Sequence, residues 1–160
     1  MTINQQTRYY IHFLFIISTG VLLMSVYLQW VQGLTPCSLC IMQRICVMLI
    51  SCLCFIGMMK KKLKSCLIGV LFIGLAGVYF ASRQIWLQSL PHDAMPACLP
   101  AIDVLIRYFP WTDVVSAFLW GSADCTEITW QWLGLSLPMW SVVYFISVFC
   151  ATAVVYYRYR

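Results

Sequence analysis

The chemistry in this chain is carried by sulfur. Cys37 and Cys40 stand three apart in "TPCSLCIMQR", and Arg44 follows Cys40 by four residues where a long apolar run begins. A Cys-x-x-Cys pair closes a small, labile ring and recurs in thiol–disulfide exchange, in which the thiolate is the attacking species. The same spacing recurs in zinc sites. With Cys98 and Cys125 further along the chain, a four-thiolate zinc site is therefore a competing reading. Such sites usually carry two close pairs, however, and here one pair is close and the other wide. A plain structural disulfide between Cys98 and Cys125 is a third reading.

The elements that must position these sulfurs follow from composition. The chain has 160 residues, 62% of them hydrophobic and 9% charged, which excludes a soluble domain with a polar surface. Four apolar stretches, approximately Tyr9–Val31, Ile41–Met59, Ser65–Leu87 and Pro138–Tyr157, are long enough to cross a membrane. A hydrocarbon core of about 30 Å takes roughly 20 residues of helix. Nothing alternates with the short period of barrel strands, so helices are the spanning option. The expected fold is an all-α membrane protein, a four-helix transmembrane bundle forming a single domain over residues 1–160. The first apolar run exceeds the roughly 7–15 residues of a secretory signal and ends in "LQWVQG" without a small-x-small cleavage site, so it is expected to remain as a span.

Basic residues give the orientation. Arg8 precedes the first span, Lys60, Lys61, Lys62 and Lys64 join the second to the third, and Arg158 and Arg160 follow the fourth. By the positive-inside rule these positions and both termini face the cytoplasm, while the links near 32–40 and 88–137 face outward. All five acidic residues, Asp93, Asp103, Asp113, Asp124 and Glu127, fall in the long outer link. The net charge of +5 is thus a topology signal, and with no nucleotide-binding motif it implies no nucleic-acid partner.

Orientation sorts the nine cysteines. Cys37, Cys40, Cys98 and Cys125 lie on the outer side, which in a bacterial-type periplasm is oxidising. Cys46, Cys52, Cys54, Cys66 and Cys150 fall within or at the edge of spans and read as packing residues, with Cys52 and Cys54 about 200° apart on a helix. If the second span begins near Leu39 or Cys40, after Pro36, Cys40 lies in its first turn, where unpaired amides and the helix dipole favour an anion. Arg44, one turn on, shares that face. An arginine at a lipid boundary can extend to headgroups, but Arg44 stands on the outer side against the positive-inside pattern. It could instead hydrogen-bond an electron acceptor bearing carbonyl oxygens, and in a membrane a quinone is such an acceptor.

The long outer link carries further signals. Pro96 and Pro100 flank Cys98 in "MPACLP", which disfavours helix and leaves either a strip suited to a partner's groove or an ordinary loop. "PWTDVVSAFLWG" predicts a short helix starting at Thr112 and Asp113 and stopping at Gly121. Its apolar face of Val114, Val115, Phe118 and Leu119 is expected either to lie on the membrane or to pack on the bundle. Trp130, Trp132 and Trp140 read as interfacial anchors. Arg83 and Gln88, near the outer end of the third span, are candidates to line a quinone pocket, and His92 reads as a solvated loop histidine.

"PCSLCIMQR" resembles the Pro-Cys-x-Leu-Cys-x-x-Gln-Arg motif of the DsbB family of disulfide-bond formation proteins. "ASRQIWLQSLPHDAMPACLP" resembles that family's approach to its third cysteine, and "GSADCTEITWQWLGLSLPMWS" its fourth-cysteine segment; spans one and four match as generic apolar helices. The resemblance implies a membrane oxidoreductase that reoxidises a soluble periplasmic thioredoxin-like partner of DsbA type and passes the electrons to ubiquinone or menaquinone. It implies redox disulfides Cys37–Cys40 and Cys98–Cys125, a transient Cys37–Cys125 bond, a mixed disulfide with the partner at Cys98, Cys40 facing the quinone, and Arg44 beside the ring. No metal is implied. Two alternatives stand beside it. One is a thiol reductase relaying electrons outward through Cys46, Cys52, Cys54 and Cys150. The other is a non-enzymatic membrane protein with a structural disulfide or zinc.

Overall fold

The computed structural model describes residues 3–33, 37–60, 62–90, 104, 107–121, 125–126 and 131–159. Four long helices dominate it: α1 (Ile3–Gln32), α2 (Ser38–Lys60), α3 (Leu63–Gln88) and α5 (Leu137–Tyr159). All four are long and apolar enough to cross a membrane. At 1.5 Å per residue even the shortest reaches about 35 Å, more than a hydrocarbon core of about 30 Å. The chain is the four-helix membrane bundle that its composition predicts. Phe13, Ile16, Leu23, Phe72, Leu75 and Val154 point outward, as lipid-facing residues do.

Since lipid tails are as apolar as leucine, burial of apolar area does not by itself hold such helices together. Two other devices do. The first is close packing at small residues. α3 packs most extensively on α5 and α2, with Gly77 under the ring of Phe145, Gly69 under Leu53, and Cys66 against Gly57. Cys66 also bonds Cys54 across the α2–α3 seam, while Cys52 points out of the bundle, so the two cysteines of "CLC" face opposite ways as their spacing requires. The second device is polar pairing between helices. Tyr10 Oη meets Thr152 Oγ1 at 2.6 Å, Ser18 Oγ meets Tyr144 Oη at 2.8 Å, and Thr19 Oγ1 meets Ser51 Oγ at 2.8 Å. Each joins α1 to a neighbour with no water needed.

At one end of the bundle, α4 (Trp111–Trp120) lies between α3 and α5 in sequence. Pro110 takes its first capping position, so it begins one residue before Thr112, and Gly121, at φ 85°, ends it. α4 packs against α2 through Val114 and Ala117 with Phe118 partly buried, whereas Val115 and Leu119, expected on the same face, are exposed, because the helix turns its 114/117/118 side inward. A two-stranded antiparallel hairpin, β1 (Gln131–Trp132) and β2 (Leu135–Ser136), leads into α5. Its turn puts Leu133 and Gly134 both at positive φ, the geometry that matches strand twist in two-residue hairpins.

A side chain on Gly77 would overlap the Phe145 ring, which is fully buried and has nowhere to move. Gly77→Val is expected to cost about 1–3 kcal/mol by overpacking and to lower the thermal midpoint in detergent. Gly20→Val, on an open face of α1, should leave that midpoint nearly unchanged.

Candidate functional site

Gly33, at φ 61°, closes α1, and the chain enters α2 at Cys37. The Ile41 amide donates to the Cys37 carbonyl at 3.1 Å, so Cys37 caps the helix and Cys40 lies in its first turn. The Cys37 sulfur donates to the Cys40 sulfur at 3.1 Å, with Cys37 buried and Cys40 partly so.

The third sulfur of the cluster comes from the far loop. Cys125, 1% exposed, bonds the Cys37 thiol. Contact with Cys125, then with Cys40, and then burial push the Cys37 thiol well above its ordinary range. As a thiol, Cys37 is therefore protonated near neutral pH. The approach of Cys125 depends on α4. Ser38 Oγ donates to the Ala117 carbonyl at 2.9 Å. Gly121 sits so tightly on Leu39 and Leu87 that a Cβ there would collide with both. Tyr79 and Arg83 of α3 donate to the Leu119 and Trp120 carbonyls at 3.4 and 3.1 Å, satisfying the open end of α4. Cys98, with Pro36, His92, Pro96, Pro100 and Trp130, lies outside the described residues.

An amide from α3 faces the Cys-x-x-Cys pair. Gln84, 4% exposed, directs Nε2 at Cys40 Sγ (3.2 Å) and Cys37 Sγ (3.5 Å). Its Oε1 accepts from Gln43 Nε2 at 2.7 Å and, more distantly, from the Cys40 thiol at 3.6 Å. The pair thus has one donor reaching both atoms between which charge must move in exchange. Neither glutamine was singled out from the sequence. The available signal was a polar residue inside an apolar span, which in lipid almost always faces the bundle interior.

Cys40, Gln84 and Arg44 are among the residues that line a cavity of about 320 Å³. The rest of its wall is largely apolar and comes from α1 and α5, including Leu28, Val21, Trp140 and Phe145. Arg44 does not extend to headgroups. Its Nε donates to Ser25 Oγ at 2.7 Å, and its terminal nitrogens donate to the Ser25 carbonyl at 3.2 Å and to Gln29 Oε1. A largely apolar cavity lined also by hydrogen-bond donors and a thiol has the chemistry to take a flat, lipid-soluble ring bearing carbonyl oxygens.

Two expected lining residues stand elsewhere. Arg83 lies about 100° around α3 from Gln84 and stacks on Trp86, its guanidinium 4.1 Å from the ring centroid, while holding the end of α4. Gln88, one turn beyond Gln84, accepts from Ser136 Oγ at 3.2 Å and pins the hairpin to α3. Neither lines the cavity. Trp140, expected as an anchor, does line it, held by donation from Nε1 to the Trp132 carbonyl at 3.2 Å.

The family model described as "Disulfide bond formation protein DsbB" matches residues 7–155. Among curated proteins, the chain is similar to "Disulfide bond formation protein B" of Stutzerimonas stutzeri (strain A1501), at 37% identity over 139 residues, 84% of this chain and 85% of that relative. It is similar to the protein of the same name from Marinobacter nauticus, at 39% over 144 residues, 87% of this chain and 85% of the relative. The Chromohalobacter salexigens protein of that name is 41% identical over 127 residues, 76% of this chain and 73% of the relative.

The Gln84 amide is one hydrogen bond to a sulfur that carries charge during exchange, an interaction of about 1.5–3 kcal/mol. Gln84→Leu is therefore expected to slow the reaction of the reduced Cys37/Cys40 pair with a small aromatic disulfide by about tenfold or more in stopped flow. An unchanged rate would show that the amide is packing alone.

Proposed function

The chain belongs to the DsbB family of disulfide bond formation proteins, and on that premise we propose that it reoxidises a periplasmic thioredoxin-like dithiol protein of DsbA type and delivers the electrons to a membrane quinone. It is a multi-pass membrane protein. In the proposed setting it lies in a bacterial inner membrane, with both termini cytoplasmic on the side marked by the lysine link, and with Cys37, Cys40, Cys98 and Cys125 in the periplasm.

The exchange runs in balanced steps. A partner thiolate attacks Cys98 of the Cys98–Cys125 disulfide; a mixed disulfide forms and Cys125 leaves as thiolate. Cys125 attacks Cys37, making the transient Cys37–Cys125 bond and breaking Cys37–Cys40, with Cys40 leaving. The partner's second thiol displaces Cys98 and departs oxidised. Cys98 then attacks Cys125, restoring their disulfide and freeing Cys37. Two electrons and two protons have passed from the partner dithiol to the Cys37/Cys40 pair. A ubiquinone or menaquinone held beside Cys40, Gln84 and Arg44 would supply the sink for these two electrons and two protons. Gln84 holds charge on the departing Cys40 sulfur, Arg44 offers N–H groups to a carbonyl oxygen, and the apolar wall keeps water from the end where the thiols react.

One observation carries this reading: Cys37 touches both Cys40 and Cys125 where Cys40 lines an apolar cavity containing a guanidinium. An outward reductase has less support, since Cys52 and Cys150 are exposed on the outside of the bundle and Cys54 pairs with Cys66.

Detergent-purified protein, mixed with a reduced thioredoxin-like partner and a short-tailed ubiquinone, should oxidise one partner dithiol per quinone reduced; no change in either would refute the assignment. Cys98→Ala should abolish partner oxidation yet leave quinone reduction by protein pre-reduced with a small dithiol. Arg44→Met should raise the quinone KM about tenfold or more, because hydrogen bonds from a charged donor are worth about 1.5–3 kcal/mol. An unchanged KM would remove Arg44 from the quinone site.

A further inference from the structure

α1 brings no cysteine to the site, yet it holds the one cation that lines the cavity among the described residues. Ser25 and Gln29 stand one helical turn apart on the α1 face toward α2, and between them they accept three hydrogen bonds from Arg44: Nε to Ser25 Oγ, one terminal nitrogen to the Ser25 carbonyl, the other to Gln29 Oε1. A guanidinium has five N–H groups, so one on each terminal nitrogen has no acceptor among the described residues, and Arg44 lines the cavity with Cys40 and Gln84. The acceptors are both neutral. None of the four long helices contains an aspartate or glutamate, and among the described residues no carboxylate pairs with Arg44.

We propose that Ser25 and Gln29 are positioning residues that clamp Arg44 in one orientation without neutralising it, so that its charge stays available to the carbonyl oxygen of the electron acceptor. The inference rests on the quinone reading of the cavity. It explains why a hydroxyl, a carbonyl and an amide are used where a carboxylate would bind the guanidinium more tightly. Negative charge builds on the acceptor's oxygen as electrons reach it, and an uncancelled guanidinium stabilises that charge in a low-dielectric cavity. A carboxylate at position 29 would hold Arg44 equally still and remove the effect. Geometry and charge are thereby separable by a single substitution.

The test compares Gln29→Glu, Gln29→Ala and Ser25→Ala with wild type in detergent. Three quantities are measured: the short-tailed ubiquinone KM in partner oxidation, ubiquinone affinity by quenching of tryptophan fluorescence, and the thermal midpoint. Gln29→Glu should raise the KM and weaken affinity about tenfold or more with the midpoint equal or higher, a combination that a merely structural role would not produce. The two alanine variants should raise the KM about threefold to tenfold. Exchange between the reduced partner and the Cys98–Cys125 disulfide should be unaffected in all three. A Gln29→Glu protein whose KM and affinity stay within twofold of wild type overturns the clamp and leaves the quinone reading intact. If that variant does not fold, the alanine variants decide, and an unchanged KM in both overturns it. Wild-type protein that neither binds nor reduces ubiquinone refutes the quinone reading itself and the clamp with it.

Discussion

A sulfur with two sulfur neighbours is the contact on which the rest depends. Cys37 caps α2, touches Cys40 within its own turn, and bonds Cys125 from a loop 88 residues on. The short-range contact comes almost without cost, since capping a helix at Cys37 forces Cys40 into the first turn. The long-range one has to be built. It is assembled from Gly121, which lets the chain lie directly on Leu39 and Leu87, and from Ser38, Tyr79 and Arg83, which donate to the last carbonyls of α4. Side chains on α2 and α3 thereby hold a loop element in place at the end of the bundle, and the proposed sulfur exchange between loops depends on that placement.

The membrane sets the second constraint. Inside lipid every polar group must find a partner in the protein, so a few polar side chains determine how otherwise interchangeable apolar helices sit together. Tyr10, Ser18 and Thr19 join α1 to its neighbours, and Ser25 and Gln29 join it to Arg44. Gln43 and Gln84 do the same between α2 and α3 while also presenting a donor to the sulfurs. The same hydrogen bonds that fix helix packing therefore build the site, and a substitution among them affects both.

Much of this was legible in the sequence, for reasons tied to particular residues. Four apolar runs specify four helices because lipid permits little else, and "PCSLCIMQR" exposes Cys37, Cys40 and Arg44 through spacing alone. Gly121 marks the end of α4 by its type. Helix phase was hidden. A span that is apolar all round has no hydrophobic face to show which residues turn inward, so Arg83 and Gln88 were the candidates for the cavity, while Gln84, which lies between them and lines it, went unnoticed. Ser25 and Gln29 passed unremarked because their role is defined by Arg44 on another helix. The Gln131–Ser136 hairpin was missed because its turn uses Leu133 at positive φ, a conformation unusual for that residue type.

The proposed relay stands on Cys37 passing between Cys40 and Cys125, and a trapping experiment addresses that step most directly. With Cys40→Ser and Cys98→Ser combined, Cys37 and Cys125 each lose the mate that would otherwise compete. After mild oxidation, blocking of remaining thiols and proteolysis, mass spectrometry should find Cys37 and Cys125 joined in one disulfide-linked peptide pair in nearly all molecules. Recovery of both as blocked thiols, or of either joined to one of the span cysteines, would contradict the relay.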